Sequence, residues 1–391
     1  IAQARERLGS ALDFRYLCPP MARRKKLKRM AFIFLGIIAA AAIGIVLFMH
    51  SPRFGQLPKG ERLARIEKSP YYKNGQFQNL HPVPASPDSL KGNFLGKLWK
   101  FVFAKTPGIK PPMPIKAVKT DLHRLAPDLN CLVWFGHSSY LIQNEGKRFL
   151  IDPVFCQASP VRFANKAFPG SEVYKPEDMP GIDYLVISHD HWDHLDYHTV
   201  KALKDRIGKV ICPLGVGQHF ERWGFAPEQL IELEWYEEAV LDSGWRVYCR
   251  PTRHFSGRSL RRNPTHWASF LLECPSRKIY IAGDGGYDTH FAEIGKEFAP
   301  IDWAIMENGQ YNKAWKYIHL MPEFMSRAAK ETGASHILTV HHSKYALARH
   351  PWDEPLSNAR KMKEQDSLPV VIPQIGEVVL LKDGSILAPD K

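Results

Sequence analysis

The sequence is poor in cysteine, and its cysteines are widely separated. There are six in 391 residues, and no two have the Cys-x-x-Cys spacing of thiolate zinc sites. Most of them lie in apolar runs that are typical of strands, where a free cysteine acts as a small core residue. An exported location would permit disulfides, but the spacing indicates no pairing. The cysteines therefore argue against a thiolate zinc site.

The chain also lacks a strong charge of one sign outside its N-terminus, and it has no evident internal repeat. The net charge is +13, but residues 1–30 contain nine Lys or Arg and only two acidic residues. The remainder is mildly basic. The isoelectric point of about 9.3 is therefore mostly an effect of the tail, and it gives little support to nucleic-acid binding.

One long apolar run is present at residues 31–49, directly after a basic segment at residues 23–29. At about 1.5 Å per residue, a helix of this length spans roughly 28 Å, which is close to the thickness of a bilayer core. The preceding positive charge favours a transmembrane anchor with a cytoplasmic N-terminus. A cleaved signal peptide is the alternative, and either reading places most of the chain outside the cytoplasm. Residues 1–20, which precede Met21, are expected to be an untranslated extension or a fragment edge.

The rest of the chain divides at about residue 120. Residues 50–120 contain ten prolines and little periodicity, which predicts a linker or an arm wrapped on the domain that follows. A short apolar stretch at 94–103 is the exception. We expect a helix there that lies on a membrane surface, covers a groove or packs on the domain. Residues 121–391 are expected to form one large domain.

Within residues 121–391, short apolar strands alternate with helical segments. The strand candidates are 132–135, 140–143, 149–152, 184–188, 210–213, 246–250, 268–273, 278–282, 303–306, 337–340 and 377–381. The helix candidates are 199–206, 290–297, 322–331 and 355–364. This order favours an α/β fold in which two sheets are sandwiched between helical layers.

A metal-ligand motif follows the apolar segment at 184–187. His189, His191 and His194 alternate with Asp190 and Asp193 in an H-x-H-x-D-H pattern. Zinc favours such nitrogen and oxygen ligands. With the composition of this chain, the pattern would arise by chance in roughly one chain in a thousand. A buried strand that ends in this motif would direct its ligands to one point above the sheet edge.

Other predicted strands also end in residues that bind metals. They are followed by His254, Asp284 and His341. Side chains at strand ends are held by rigid backbone, which suits a preorganised site. We expect one metal to be bound by His189, His191 and His254, a second by Asp193, His194 and His341, and Asp284 to bridge the two. Paired metals about 3.5–4 Å apart activate water and stabilise the attacked centre.

This ordered ligand series resembles the metallo-β-lactamase superfamily of binuclear hydrolases. The resemblance covers about residues 132–381 and implies an αββα sandwich with the metals at the sheet edge. Asp284 stands where true zinc β-lactamases have a cysteine. In this respect the chain resembles the branches that hydrolyse esters and phosphodiesters.

A closer resemblance is to the N-acylphosphatidylethanolamine phospholipase D and RomA-like group. It rests on segments 134–142, 152–155, 158–160, 254–258, 282–287, 316–319, 341 and 346–348. It implies a zinc phosphodiesterase that acts on a membrane phospholipid. Two departures are present. The family often has His-Trp-Gly where this chain has His341, His342 and Ser343, and it often has Pro-Ile-Gly-Ala-Tyr in the region of residues 306–312. His341 is preferred as the ligand because it directly follows the strand, with His342 as the alternative.

Several further side chains are candidates for supporting roles. Asp152 is expected to orient a ligand histidine, and His137 to face the site from a tight turn. A purely structural role is the alternative for both. His319 matches the substrate-side histidine of the resembling group and is expected to donate a proton or bind phosphate, and Asp193 and Asp284 are the other catalytic candidates. Arg258 is a further candidate for substrate contact, because a guanidinium group suits phosphate oxygens. Tyr287, which lies in one of the segments that carry the resemblance, is the last candidate.

These observations predict a membrane-anchored binuclear zinc hydrolase, with manganese or iron as alternative metals. The expected substrate is a membrane phospholipid cleaved in the manner of a phospholipase D. The expected location is a bacterial inner membrane, crossed once, with the domain on the extracytoplasmic side. A lactonase or other carboxylic-ester hydrolase is the alternative enzyme, and a membrane-tethered binding protein on an inactive scaffold is the non-enzymatic alternative. The modest charge of the domain argues against a nuclease or a nucleic-acid partner. The sequence indicates no oligomeric state.

Overall fold

The computed structural model describes residues 21–84, 96, 106–242 and 244–387. The chain divides into two compact units, residues 1–51 and 52–391. In the first unit, helix α1 (Met21–Met49) contains the predicted apolar run. Its segment Lys25–Met49 is long and apolar enough to cross a membrane, judged by length and composition alone.

The second unit contains a short hairpin and two seven-stranded sheets. The hairpin consists of β1 (Tyr72–Lys73) and β2 (Gln76–Phe77). The first sheet contains β3 (Cys131–Trp134), β4 (Tyr140–Asn144), β5 (Lys147–Ile151), β6 (Ile182–Val186), β7 (Ile207–Pro213) and β8 (Leu230–Leu233). The second sheet contains β9 (Glu238–Val240), β10 (Arg246–Arg250), β11 (Ser269–Cys274), β12 (Arg277–Ile281), β13 (Trp303–Glu307), β14 (His336–Val340) and β15 (Val370–Val371). The last strand, β16 (Val378–Leu380), returns to the first sheet beside β3.

The two sheets have the same internal arrangement. In the first, β16, β3, β4 and β5 pair antiparallel, whereas β5 to β8 pair parallel. In the second, β9 to β12 pair antiparallel and β12 to β15 pair parallel. Parallel strands end at a common edge, so β5 and β6 in one sheet and β12 to β14 in the other bring the residues that follow them together.

Helices cover the outer face of each sheet. They are α3 (Tyr197–Leu203), α4 (Gly217–Arg222), α5 (His290–Phe298), α6 (Pro322–Thr332) and α7 (Glu354–Glu364). Helix α2 (Gly60–Glu67) instead contributes Ile66 to the apolar cluster between the sheets. Leu203 of α3 and Phe220 of α4 belong to the apolar cluster outside the first sheet. Phe291 of α5, Ala328 of α6 and Met362 of α7 belong to the equivalent cluster outside the second.

The main core lies between the sheets. It contains Phe149 and Ile211 from the first sheet and Phe270 and Trp303 from the second. Because successive residues of a strand point to opposite faces, neighbouring Leu141 and Ile142 contribute to the outer and inner clusters respectively. The layer order is therefore helix, sheet, sheet, helix, as the α/β sandwich expectation required.

Each predicted strand overlaps an observed one, and each predicted helix between 199 and 364 overlaps an observed helix. Strands β8, β9 and β15, the β1–β2 hairpin and helices α2 and α4 were not predicted. The strands among them are short, and β8 and β9 carry charged residues that obscure an apolar pattern. The helix expected at 94–103 lies outside the described residues, apart from Gly96.

Residues 52–84 pack on the sandwich. The carbonyl oxygen of Pro52 accepts a hydrogen bond from Nε1 of Trp223 at 2.8 Å. Arg62 in α2 forms ion pairs with Glu221 at 2.7 Å and with Glu232 at 2.6 Å. These contacts hold the N-terminal part of the Pro-rich segment against α4 and the edge strand β8.

Candidate metal centre

Three imidazoles from two loops meet at one point. Nδ1 of His191 lies 2.8 Å from Nε2 of His189 and 3.2 Å from Nε2 of His254. His189 and His191 follow β6, and His254 follows β10, so two sheets supply this group. Loss of hydration lowers the pKa of His191 to about 4 and holds the pKa of His189 and His254 well below the usual range. All three rings are therefore neutral near pH 7, with lone pairs that a cation can accept.

The other ring nitrogens of two of these histidines are held by neighbouring groups. Nδ1 of His254 donates to the carbonyl oxygen of Ile318 at 2.6 Å. Nδ1 of His189 lies 2.9 Å from the hydroxyl of Ser188. Such contacts fix the ring orientation and the tautomer, which leaves Nε2 to face the common point.

A second group of side chains adjoins the first. Nε2 of His194 lies 3.5 Å from Oδ2 of Asp193. Asp284 lies between the groups, because its Oδ2 is 3.1 Å from Nε2 of His194 and 3.8 Å from Nε2 of His254. Its Oδ1 is 3.2 Å from Nδ1 of His341. The structure thus brings together every side chain proposed from the sequence as a metal ligand, with Asp284 in the expected central position.

The donor set fits divalent cations. Among the described residues, the buried Nε2 atoms of His194 and His341 have no hydrogen-bond partner. Buried polar atoms are rarely left so, and a bound cation would satisfy nitrogens in this position. Burial favours the neutral form of the Asp284 carboxyl, but the imidazoles of His194 and His341 outweigh it and hold the pKa of Asp284 well below its usual range. Burial opposes the charged form of His194, but the carboxylates of Asp284, Asp193 and Asp152 hold the pKa of His194 well above its usual range. The centre therefore combines ionised carboxylates with neutral imidazoles and one imidazole, His194, that would lose its proton to a bound cation.

Asp152 orients His194. Its Oδ2 accepts a hydrogen bond from Nδ1 of His194 at 2.8 Å, which directs Nε2 of that ring towards Asp284. It also accepts from the backbone N–H and the hydroxyl of Ser188, at 2.8 and 2.6 Å. This contact agrees with the orienting role expected for Asp152.

His137 and His342 are distinguished by their contacts. Nε2 of His137 lies 2.9 Å from Oδ2 of Asp193, and its ring centroid is 4.1 Å from that of His341, so His137 faces the cluster. Nε2 of His342 instead lies 3.1 Å from the carbonyl oxygen of Thr339, and its ring packs on Trp134. His341, rather than His342, is therefore the histidine placed among the candidate ligands.

A cavity of about 230 Å³ opens above the cluster. His191, Asp193, Asp284, His319 and His341 form its polar wall. Its other lining residues are Phe255, Gln310, Trp315, Ile318 and Leu347. A polar reactive centre below a largely apolar wall suits a substrate with an apolar part.

Glu307 is a site residue that the sequence interpretation missed. This buried carboxylate accepts a hydrogen bond from Nδ1 of His319 at 2.5 Å and another from the backbone N–H of Gly285 at 2.7 Å. Burial raises the pKa of Glu307 to about 7, against the opposing effect of His319. Its position at the end of β13 is the signal that could have found it, because Asp284 and His341 follow the neighbouring strands in the same way.

Two residues that were expected to contact the substrate have other partners in the structure, so these two predictions are wrong. Arg258 is 3% exposed, and its guanidinium donates to the backbone carbonyls of Asp190, Leu195 and Arg53 at distances between 2.6 and 3.3 Å. It therefore supports the ligand loop and does not face the cavity. The hydroxyl of Tyr287 donates to Glu331, and its ring stacks on Phe324 at 4.9 Å, away from the cavity lining.

Comparisons with known proteins agree with this geometry. Residues 147–342 match the family described as the beta-lactamase superfamily domain, and this span contains all the candidate ligands. An uncharacterised protein of Mycobacterium tuberculosis is 37% identical over 321 residues, which cover 80% of this chain and 85% of that protein. The outer membrane protein RomA of Klebsiella pneumoniae is 56% identical over 95 residues, covering 24% of this chain and 72% of RomA. The N-acyl-phosphatidylethanolamine-hydrolyzing phospholipase D 1 of Caenorhabditis elegans is 29% identical over 231 residues, covering 55% of this chain and 64% of that enzyme.

Solved structures with the same fold include Igni18, a metallo hydrolase from Ignicoccus hospitalis. Its TM-score is 0.51 at 21% identity, with coverage of 64% of this chain and 97% of Igni18. CmlA, a diiron β-hydroxylase from Streptomyces venezuelae, also has a TM-score of 0.51, at 16% identity, with coverage of 65% of this chain and 55% of CmlA. At these identities the structures support the fold alone. The chain belongs to the β-lactamase superfamily, and it has a metal-binding cluster of histidine and aspartate side chains at the edge of its two sheets.

Proposed function

We propose that this protein is a binuclear zinc hydrolase that cleaves the phosphodiester bond of N-acylphosphatidylethanolamine-like lipids at a membrane. The observation that carries the proposal is the position of Asp284 between the His189–His191–His254 group and the Asp193–His194–His341 group. The choice of substrate is supported by the named activity of the C. elegans relative and by the apolar wall of the cavity.

The donor set favours zinc, because imidazole nitrogen and carboxylate oxygen are its common ligands in catalytic sites. Iron and manganese are the alternatives, and the diiron centre of CmlA illustrates the first of them in this fold. When bound, two such cations would supply Lewis acidity towards the phosphate and lower the pKa of a water molecule.

The side chains around the cavity supply the remaining chemistry. Glu307 holds Nδ1 of His319, so Nε2 of His319 is the nitrogen available to protonate the leaving alkoxide oxygen. Asp193 accepts a hydrogen bond from Nε2 of His137, which keeps its carboxylate oriented. The side chains of Phe255 and Leu347 exclude water and accommodate the apolar part of the substrate. One water is consumed, and the products are phosphatidic acid and an N-acylethanolamine.

The proposal includes a membrane location. Segment Lys25–Met49 would anchor the chain in a bacterial inner membrane, and the basic residues before it favour a domain on the extracytoplasmic side. Residues 50–120 would then be the linker and arm, and residues 121–391 the hydrolase domain. The partners we expect are the lipid substrate and the membrane, and not nucleic acid.

The second candidate function is hydrolysis of a lactone or another carboxylic ester. The same centre can act on a carbonyl carbon, and the ligand geometry does not discriminate between the two reactions. An inactive scaffold that binds a ligand at the membrane is the non-enzymatic alternative. Each alternative predicts a different result in one experiment.

The test is to incubate the purified full-length chain with zinc and three kinds of substrate in mixed micelles. These are N-acylphosphatidylethanolamine, a plain phospholipid and a panel of lactones. We expect the wild type to release N-acylethanolamine and Asp284→Ala to lose this activity. The control Asp128→Asn should retain it, because Asp128 is exposed and distant in sequence from the ligands. Hydrolysis of lactones alone would overturn the phosphodiesterase proposal. A chain that lacks both metal and activity would support the inactive scaffold.

A further inference from the structure

Two surface loops carry a large apolar side chain beside cations. In residues 159–166, Phe163 is 78% exposed and lies near exposed Arg162 and Lys166. In residues 258–262, Leu260 is 90% exposed and precedes exposed Arg261 and Arg262. Neither segment contains an acidic residue. An exposed apolar tip among cations is typical of a surface that contacts anionic lipid headgroups.

Both loops are attached to the same 3₁₀ turn, Pro52–Phe54. Nη1 of Arg53 donates to the carbonyl oxygen of Pro160 at 3.0 Å. The carbonyl oxygen of Arg53 accepts from Nη2 of Arg258 at 2.9 Å. The loop of Phe163 and the loop of Leu260 therefore flank this turn.

Chain connectivity ties the same turn to the apolar helix. Only His50 and Ser51 separate Met49, the last residue of α1, from Pro52. Three residue steps extend to at most about 11 Å. If Lys25–Met49 spans a bilayer, the shortness of this covalent link favours a lipid surface as the partner of the two loops that flank the turn.

The metal cavity adjoins the same region. The ring of Phe54 packs edge-on against Trp192, which lies within the ligand loop, with centroids 5.0 Å apart. The guanidinium of Arg262 lies 4.5 Å from the ring centroid of Phe255, a residue of the cavity wall. A neighbouring groove shares Phe255 with the cavity and extends to Arg262 and Lys73.

We propose that the loops of Phe163 and Leu260 form a docking surface for a bilayer with anionic headgroups, so that lipid reaches the metal cavity past Arg262. The apolar tips would enter the interface, and the four cations would contact headgroups. The inference rests on the membrane anchoring within the proposed function, but it does not depend on which bond is hydrolysed.

Protease protection tests the docking without any reaction. The full-length chain is placed in vesicles of phosphatidylcholine and phosphatidylglycerol and, in parallel, in neutral detergent micelles. Tryptic cleavage after Arg261 and Arg262 is then compared with cleavage after Lys382, an exposed site on a different turn. This ratio counts only molecules whose domain faces outward. We expect at least about a tenfold lower ratio in vesicles, and equal ratios would overturn the proposal.

A double variant separates docking from folding. In Phe163→Ser with Leu260→Ser, we expect the vesicle ratio to rise to the micelle value, with the micelle ratio unchanged. The matched control is Met113→Ser, which removes another exposed apolar side chain, 75% exposed and outside both loops, and should remain protected. Persistent protection in the double variant would contradict the assignment of the docking residues.

A second measurement distinguishes failure of this inference from failure of the proposed function. The double variant should hydrolyse vesicle lipid at least about fivefold more slowly than the wild type, but a soluble aryl phosphodiester at the same rate. If no substrate were hydrolysed, the proposed reaction would be rejected. The protease-protection experiment would then still test the docking surface. Full vesicle hydrolysis without protection would reject the docking and leave the reaction standing.

Discussion

Nδ1 of His319 donates a hydrogen bond to Oε1 of Glu307 at 2.5 Å, and this contact fixes a ring in the wall of the metal cavity. Burial alone would lower the pKa of His319, but the Glu307 carboxylate raises it above the usual range. The Glu307 carboxylate therefore favours the protonated form of the His319 imidazole. Glu307 does not line the cavity, so it acts on the reaction by positioning His319.

Glu307→Gln is expected to lower kcat by roughly 10–100-fold, by analogy with the loss of residues that orient metal ligands. The amide keeps the shape but loses the charge that holds the proton on His319. KM should change little, because Glu307 does not line the cavity. Bound metal is measured as well, because Glu307 lies close to His341 of the second group. The measurement is steady-state kinetics beside metal analysis, with Glu293→Gln on the exposed face of α5 as control. An unchanged kcat would show that the contact has no part in the reaction.

Asp152→Asn is expected to weaken the metal held by His194 by roughly 10–100-fold. The amide cannot accept all three hydrogen bonds that His194 and Ser188 now donate to the carboxylate. The His189–His191–His254 group touches Asp152 only through the hydroxyl of Ser188, so the metal that it holds should be weakened less. Competition against a graded chelator measures the two affinities. If the affinities of both groups for metal were unchanged, Asp152 would have no role in orienting His194.

Arg258→Met should destabilise the fold by about 2–4 kcal/mol, because three backbone carbonyls lose a charged donor. The exposed neighbour Arg261→Met should change the free energy of unfolding by less than about 0.5 kcal/mol. Denaturant unfolding measures both values. If Arg258→Met proved as stable as the wild type and raised only KM, Arg258 would be a substrate contact after all.

Lys344 gives a pH prediction. Its ammonium is buried and donates to the carbonyl oxygens of Val154 and Phe135, and burial lowers its pKa from 10.5 to about 8. Between these values the unfolded chain binds more protons than the folded one, so the free energy of unfolding rises with pH. Below about pH 8 both states are protonated, and the full penalty applies.

The expected contribution is about 1.5 kcal/mol of added stability between about pH 8 and pH 9.5. Other groups also titrate in this range, so the quantity to measure is the difference between the wild type and Lys344→Met. That difference should shift in favour of the wild type as the pH rises. A difference in the free energy of unfolding that stays constant with pH would contradict the prediction. It would mean that burial of the Lys344 ammonium does not destabilise the folded state.

Much of the candidate site could be predicted from the sequence, because the fold brings the ends of neighbouring strands together. Asp284 and His341 are far apart in the chain, but each follows a strand of one parallel set, and β6 delivers the motif to the same edge. A ligand-type residue after a buried strand was therefore a sound signal. The same signal was present for Glu307 at the end of β13, and the sequence interpretation missed it.

Contacts made by irregular segments could not be predicted from the sequence. Arg258 suggested phosphate binding by its chemistry, but nothing in its neighbours indicated that the carbonyl of Arg53 would meet its guanidinium. His137 has a left-handed backbone, with φ of 53°, which turns its ring into the cluster. The sequence predicted that His137 faces the site from a tight turn, but it did not indicate this backbone conformation, which is uncommon for a non-glycine residue.

The metal content of the purified full-length chain tests the central claim most directly. After supply of zinc, manganese or iron and removal of free metal, elemental analysis should find two cations per folded chain. Asp284→Ala should retain one or none, whereas Asp128→Asn should retain two. A folded wild-type chain that holds one cation or none under all three conditions would contradict the binuclear account.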